Sequence, residues 1–156
     1  MFFDLESSEE KREESETSYY NREEAVFIEE IYRYIKIRSQ SKNIEIGIIT
    51  PYTKQTETIQ TQLTRFHEKE WEKHVEVGTI DGFQGREKDV IILSLVRTEG
   101  IGFLWNKKRI NVSLTRSKFG LWVVGKADCL QGDETWGAFI QHCRDQQKLV
   151  TCFGFN

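Results

Sequence analysis

A single proline, Pro51, stands in a chain of 156 residues, which excludes the semi-rigid spacers that proline-rich segments build. With no visible division and a 38% hydrophobic content, one domain with one contiguous core is expected. Cysteine is scarce and odd in number. Cys129, Cys143 and Cys152 include no Cys-x-x-Cys pair, so they read as reduced thiols in an intracellular setting rather than as a disulfide framework. His142 adjoins Cys143, but neighbouring residues rarely ligate one ion together, and no metal site is expected. The longest nearly unbroken apolar run, Val90 to Val96, falls well short of the ~20 residues that span a bilayer, and Met1-Phe2-Phe3-Asp4 lacks a charged-then-apolar signal pattern. No membrane association is expected. Positive charge is not in excess either: the formal net charge is -3 and the pI about 5.7. No global field draws this chain to a phosphate backbone, so any nucleic-acid contact must come from local groups. The phosphate cradle G-x-x-x-x-G-K-[ST] is also missing; Gly125-Lys126-Ala127 has neither the upstream glycine nor the hydroxyl.

The segments that are present alternate between two periodicities. Phe2-Phe3 reads as a short edge strand, and Asp4 to Glu16, with almost nothing to bury, as a solvated loop or partly disordered insert, the charged loop covering about 6–17. Asn21 can cap a helix, with Glu24 three residues on to complete a capping box. Phe27, Ile28, Ile31, Tyr32 and Ile35 then follow at helical spacing and form an apolar stripe. Ile44 to Thr50 reads as a buried strand stopped by Pro51, and a helix is expected from near Thr53 to about Phe66. His67 to His74 is charged and reads as exposed. Val75 to Ile80, Val90 to Val96 and Leu121 to Gly125 are further strand-like runs, with a helix over Arg109 to Lys118 and a last one over Trp136 to Cys143. Strands alternating with helices predict an α/β fold with a mostly parallel sheet covered on both faces. In such sheets ligands bind beyond the carboxyl ends of the strands, which directs attention to the loops after Thr50, Ile80 and Val96.

Three segments are richer in polar chemistry than a connection requires. In Thr79-Ile80-Asp81-Gly82-Phe83-Gln84-Gly85-Arg86-Glu87-Lys88-Asp89, two glycines let the backbone approach an oxyanion while side chains grip a nucleotide or phosphodiester; a charged surface loop would look similar. In Lys107 to Lys118, Arg109 and Arg116 stand seven apart and would share one helix face. An arginine there can neutralise charge on a transferring phosphoryl group, although most such clusters are simply solvated. In Ile46 to Gln55, a strand end is followed by Thr50, Pro51 and Tyr52, a turn able to offer a hydroxyl to phosphate and a ring to a base, or else a plain strand-to-helix connection.

In this order the three segments, together with Ser18-Tyr19-Tyr20-Asn21-Arg22-Glu23-Glu24-Ala25 and Gly100-Ile101-Gly102-Phe103-Leu104, resemble the later motifs of superfamily-1 helicases of the nonsense-mediated-decay and senataxin type, over nearly the whole chain. The resemblance implies a RecA-like P-loop NTPase fold, with residues 1–156 as the second RecA-like domain of such an enzyme. It implies ATP with Mg2+ as cofactor, the metal held mainly by the first RecA-like domain, and single-stranded RNA or DNA as partner, moved with 5′-to-3′ polarity. By matching position, Glu87 would contact the ATP ribose, Gly85 would line the cleft, and Arg116 would reach the γ-phosphate as a catalytic arginine finger. Arg109 would support that finger or the adjoining interface. Thr50, Pro51, Tyr52, Thr79 and Gln84 would face the nucleic acid or couple it to the ATP cleft.

For each of these a blander role exists: a surface ion pair for Glu87, a packed helix residue for Arg109, a core aromatic for Tyr52. The family's Walker-type elements and its Gln-Tyr-Arg-Met-His-Pro segment are expected to lie before Met1, so the 156 residues alone are expected to hydrolyse no ATP. A nuclear or cytoplasmic location follows from the same resemblance. The competing class is a non-catalytic docking module that kept the fold.

Overall fold

A computed structural model describes residues 1–14, 17–39 and 43–153. Its elements are β1 (Phe2–Leu5), α1 (Arg22–Arg38), β2 (Ile46–Thr50), α2 (Thr53–His67), β3 (Val75–Thr79), β4 (Lys88–Ser94), α3 (Lys107–Leu114), β5 (Ser117–Gly125), α4 (Ala127–Leu130), α5 (Glu134–Asp145) and β6 (Leu149–Cys152). The six strands form one sheet in the order β3-β2-β4-β5-β1-β6, and every strand pairing is parallel. The expected α/β fold, RecA-like with helices on both faces, is what the chain adopts.

Strand alternation sorts the core into two layers. One sheet face carries Ile49, Ile91, Leu93 and Val123 against Ile110 of α3 and Trp136 and Ile140 of α5. The other carries Ile46, Ile48, Ile92 and Val124 against the stripe of α1 and against Ile59 and Leu63 of α2. The stripe read from spacing is the face that packs: Ile28, Ile31, Tyr32 and Ile35 are all buried.

Five local expectations are corrected. Phe2-Phe3 belongs to no edge: β1 lies between β5 and β6, because Leu149–Cys152, too short to be read as a strand, pairs outside it. The helix expected to reach Lys118 stops at Leu114. There the chain is taken up by the sheet, Lys88 N–H donating to Arg116 O at 3.1 Å. His67 to His74 is not simply exposed. Trp71 is buried and its Nε1 donates to Thr64 Oγ1 at 3.1 Å, while His67 meets the buried Glu29 at 2.8 Å.

The charged stretch near the amino terminus, of which residues 15 and 16 lie outside the described residues, is anchored rather than only solvated. The Glu10 carboxylate accepts from Arg97 Nε at 2.9 Å and from the backbone N–H groups of Thr98 and Glu99. Last, the capping box is half formed. Asn21 Oδ1 accepts from Glu24 N–H at 3.0 Å, but the Glu24 side chain turns inward.

Candidate functional site

The segment after β3 crosses the sheet. It leaves Thr79 at the carboxyl end of β3 and arrives at Lys88, the amino end of β4, so it runs from one rim of the sheet to the other. Its anchor is Phe83, 1% exposed, which lies over two residues that have no side chain. A Cβ at Gly47 would come 2.9 Å from the Phe83 ring, and one at Gly78 would come 3.0 Å from it. Beyond Phe83 the chain reverses. Arg86 N–H donates to Phe83 O at 3.0 Å, Gln84 has φ -59 and ψ 125, and Gly85 has φ 79. That is a type II turn, whose third position requires the left-handed conformation glycine adopts without strain. Arg86 then pairs with Glu76. Gln84, Gly85 and Glu87 are exposed, and Glu87 has no hydrogen bond or ion pair among the described residues.

Arg116 precedes β5 as Glu87 precedes β4, and the two strands begin side by side with Lys88 opposite Ser117. The two candidate ATP residues therefore share one rim. That rim is the amino end of the strands, not the carboxyl end that the loop argument favoured; the crossing segment carries Glu87 away from where it starts. Arg116 also leaves the helix face it was expected to share with Arg109, since α3 has ended two residues before it. Arg116 is half-buried; its Nη2 donates to Thr115 Oγ1 at 3.0 Å, and its Nε is buried with no partner among the described residues. A guanidinium N–H left unpaired inside a protein is costly. Arg109, on the first turn of α3, grips Asp81 of the crossing segment through two hydrogen bonds of 3.2 and 2.8 Å.

The remaining candidates gather at the carboxyl rim. Thr50 and Thr79 are register partners at the ends of β2 and β3. Thr79 Oγ1 accepts from Gly82 N–H at 3.2 Å, which starts the crossing segment. Thr50 is fully buried and Pro51 half-buried. Tyr52 is 3% exposed and packs edge-on against Tyr19, with Phe103 on another side. Its ring is enclosed by these neighbours within the chain.

Around this rim lies a polar junction that spacing did not disclose. Glu24 is fully buried; its carboxylate accepts from Ser94 Oγ at 2.6 Å and from Val96 N–H at 3.0 Å. Burial is the main cause that pushes its pKa up to about 8, against the lowering effect of those donors. Gln55 Nε2 reaches both Ser94 Oγ and Asn21 O at 3.0 Å. The Asn21-to-Glu24 spacing is the one signal visible in the sequence, and it reads as a cap; Gln55 and Ser94 give none.

Among the described residues no three His, Cys, Asp or Glu side chains converge to hold a metal ion, and no helix is long and apolar enough to cross a membrane.

Residues 1–128 match the family described as AAA domain. The chain is 44% identical over 142 residues to the Regulator of nonsense transcripts 1 homolog of Neurospora crassa, covering 87% of this chain and 13% of that protein. It is 40% identical over 155 residues to the ATP-dependent helicase upf1 of Schizosaccharomyces pombe, covering 96% of this chain and 17% of the relative. To Helicase SEN1 of Saccharomyces cerevisiae it is 34% identical over 162 residues, covering 99% of this chain and 7% of that protein. The chain thus spans a small part of the length of these relatives. With a parallel RecA-like sheet and a family match over most of its residues, this chain belongs to the AAA domain family, as a domain of the helicase type.

Proposed function

We propose that this chain is the second RecA-like domain of an ATP-dependent RNA or DNA helicase, supplying one wall of the ATP site and part of a single-strand track. The observation that carries the reading is the placement of Glu87 and Arg116 at the amino ends of two adjacent strands, which begin side by side with Lys88 opposite Ser117. Bound there, ATP would have its ribose met by Glu87, its edge lined by the Gly85 turn, and its γ-phosphate reached by Arg116. Mg2+, which neutralises charge between the phosphates, would be held mainly by a first RecA-like domain. Phosphoryl transfer relies on positioning and on charge stabilisation, and an arginine from a facing domain contributes both.

The single strand would run over the carboxyl rim, at Pro51 and Thr79, with the buried Thr50 holding the turn beneath them, through backbone-directed and sequence-tolerant contacts. Residues 79–88 would then act as the mechanical link, because one end lies at the strand-facing rim and the other at Glu87. Gln84 and the Asp81–Arg109 pair sit along that link. Closure of two such domains on ATP would shift their grips on the strand with each cycle. The pure 156-residue chain, given ATP, Mg2+ and a single-stranded oligonucleotide, is expected to show no turnover above buffer. Clear strand-stimulated hydrolysis would refute the half-site reading.

A further inference from the structure

The end of β4 contains a conformation that its sequence does not favour. Val96 has φ 71, in the left-handed region where a β-branched residue is a genuine outlier. Arg97 N–H donates to Leu95 O at 2.8 Å, the two-residue spacing of a γ-turn, and with positive φ at its centre that turn is the rare, strained kind. Val96 is fully buried, so solvent does not hold it there.

Both polar groups of Val96 are held by the first turn of α1. Its N–H donates to the two Glu24 oxygens at 3.0 and 3.1 Å. Its carbonyl accepts from Asn21 Nδ2 at 3.2 Å. Glu24 is braced in turn by Ser94, and Asn21 N–H donates to Gln55 Oε1 at 2.8 Å, which ties in the first turn of α2. A buried carboxylate is a poor way to stabilise a core, since an apolar side chain of like volume does as well. A strained amide that needs an acceptor gives it a reason to be there, and such strain clusters where function requires a fixed geometry.

What the turn aims is Arg97. Its guanidinium lies 4.3 Å over the Tyr19 ring and its Nε reaches Glu10 at 2.9 Å. A Cβ at Gly102 would run into both Arg97 and the Tyr52 hydroxyl, so the two side chains share one crowded spot. Arg97 thereby buttresses Tyr52 and the turn that carries Thr50 and Pro51.

We infer that Glu24 is a positioning residue for strand binding: by holding Val96 in its strained turn it sets Arg97, and through Arg97 the Thr50–Tyr52 turn. This rests on the reading of the carboxyl rim as the strand surface.

The test is a double-mutant cycle on this chain, reading anisotropy of a fluorescein-labelled 20-nucleotide poly-U, with far-ultraviolet circular dichroism to confirm the fold. Glu24→Gln should weaken binding by roughly tenfold, the scale of one buried hydrogen bond. Glycine adopts positive φ unaided, so in a Val96→Gly background the same change should cost less than about twofold. Equal losses in both backgrounds would reveal general destabilisation and overturn the inference, as would undiminished binding by Glu24→Gln. Should Glu24→Gln fail to fold, hydrogen exchange of the Val96 amide in the wild-type chain decides: protection like that of the central strands supports the clamp, and exchange at loop rates refutes it. A wild-type chain that does not bind the oligonucleotide removes the reading of the rim and the inference together. One that binds but is indifferent to Glu24 removes the inference alone.

Discussion

Arg109 and Asp81 meet side by side, Nε to Oδ1 at 3.2 Å and Nη2 to Oδ2 at 2.8 Å, and so fasten α3 to the start of the segment that crosses the sheet. Their side chains are 34% and 64% exposed, which puts the contribution to stability at no more than about 1 kcal/mol. The pair matters more for where the crossing segment lies than for whether the chain folds. Arg109→Ala should therefore shift the urea midpoint only slightly while speeding hydrogen exchange at Gln84 and Arg86, whose N–H groups donate to Asp81 O and Phe83 O. A large loss of stability, or unchanged exchange, would contradict that division of roles.

Arg116→Ala, made in an intact helicase containing this domain, should reduce ATP turnover by on the order of 10³-fold, as removal of an arginine finger does. ATP binding should suffer far less than turnover. Near wild-type turnover with the fold intact would end the finger assignment.

The bed beneath Phe83 is equally open to test. A Cβ at Gly47 would lie 2.6 Å from Ile91 Cδ1 and 2.9 Å from Phe83 Cε1, so Gly47→Ala overpacks the core and should cost about 1–3 kcal/mol. Phe83→Ala leaves a void in the same place and should cost about 3–5 kcal/mol. Denaturant unfolding measures both, and a neutral Gly47→Ala would show that the crossing segment is not seated as described.

Glu24 makes stability depend on pH. Burial raises its folded-state pKa to about 8 from an ordinary 4.5, so between these values the folded chain keeps a proton that the unfolded chain has released. The resulting contribution is full below about pH 4.5 and is lost as pH rises toward 8. Glu24→Gln removes the titration, so its melting temperature should fall less than that of the wild type between pH 5 and 8. Parallel melting curves for the two proteins would contradict the raised value.

Much of this molecule was legible before any coordinates. The three- and four-residue spacing of Ile28, Ile31, Tyr32 and Ile35 named the buried face of α1, because a helix repeats every 3.6 residues whatever it packs against. The isoleucines before Pro51 marked β2 for the same local reason. Where a neighbour distant in sequence decided the outcome, local reading failed. Nothing near Leu114 says that the helix must stop; the hydrogen bond from Lys88 to Arg116 does. Trp71 looked exposed in its charged surroundings and is buried. Glu24 stood at the capping-box position, yet Ser94 and Val96, some seventy positions away, offered its carboxyl better donors.

The residues and their order established an alternating α/β chain, a parallel sheet and membership of a helicase-type family, since periodicity and motif spacing are written along the backbone. Folding decided the rest. It carried Glu87 to the amino rim beside Arg116, enclosed Tyr52 within a packed cluster, and gave Val96 a shape its own side chain disfavours. Each of these depends on strand register and on contacts between residues far apart in the chain, and such contacts leave no local trace in sequence.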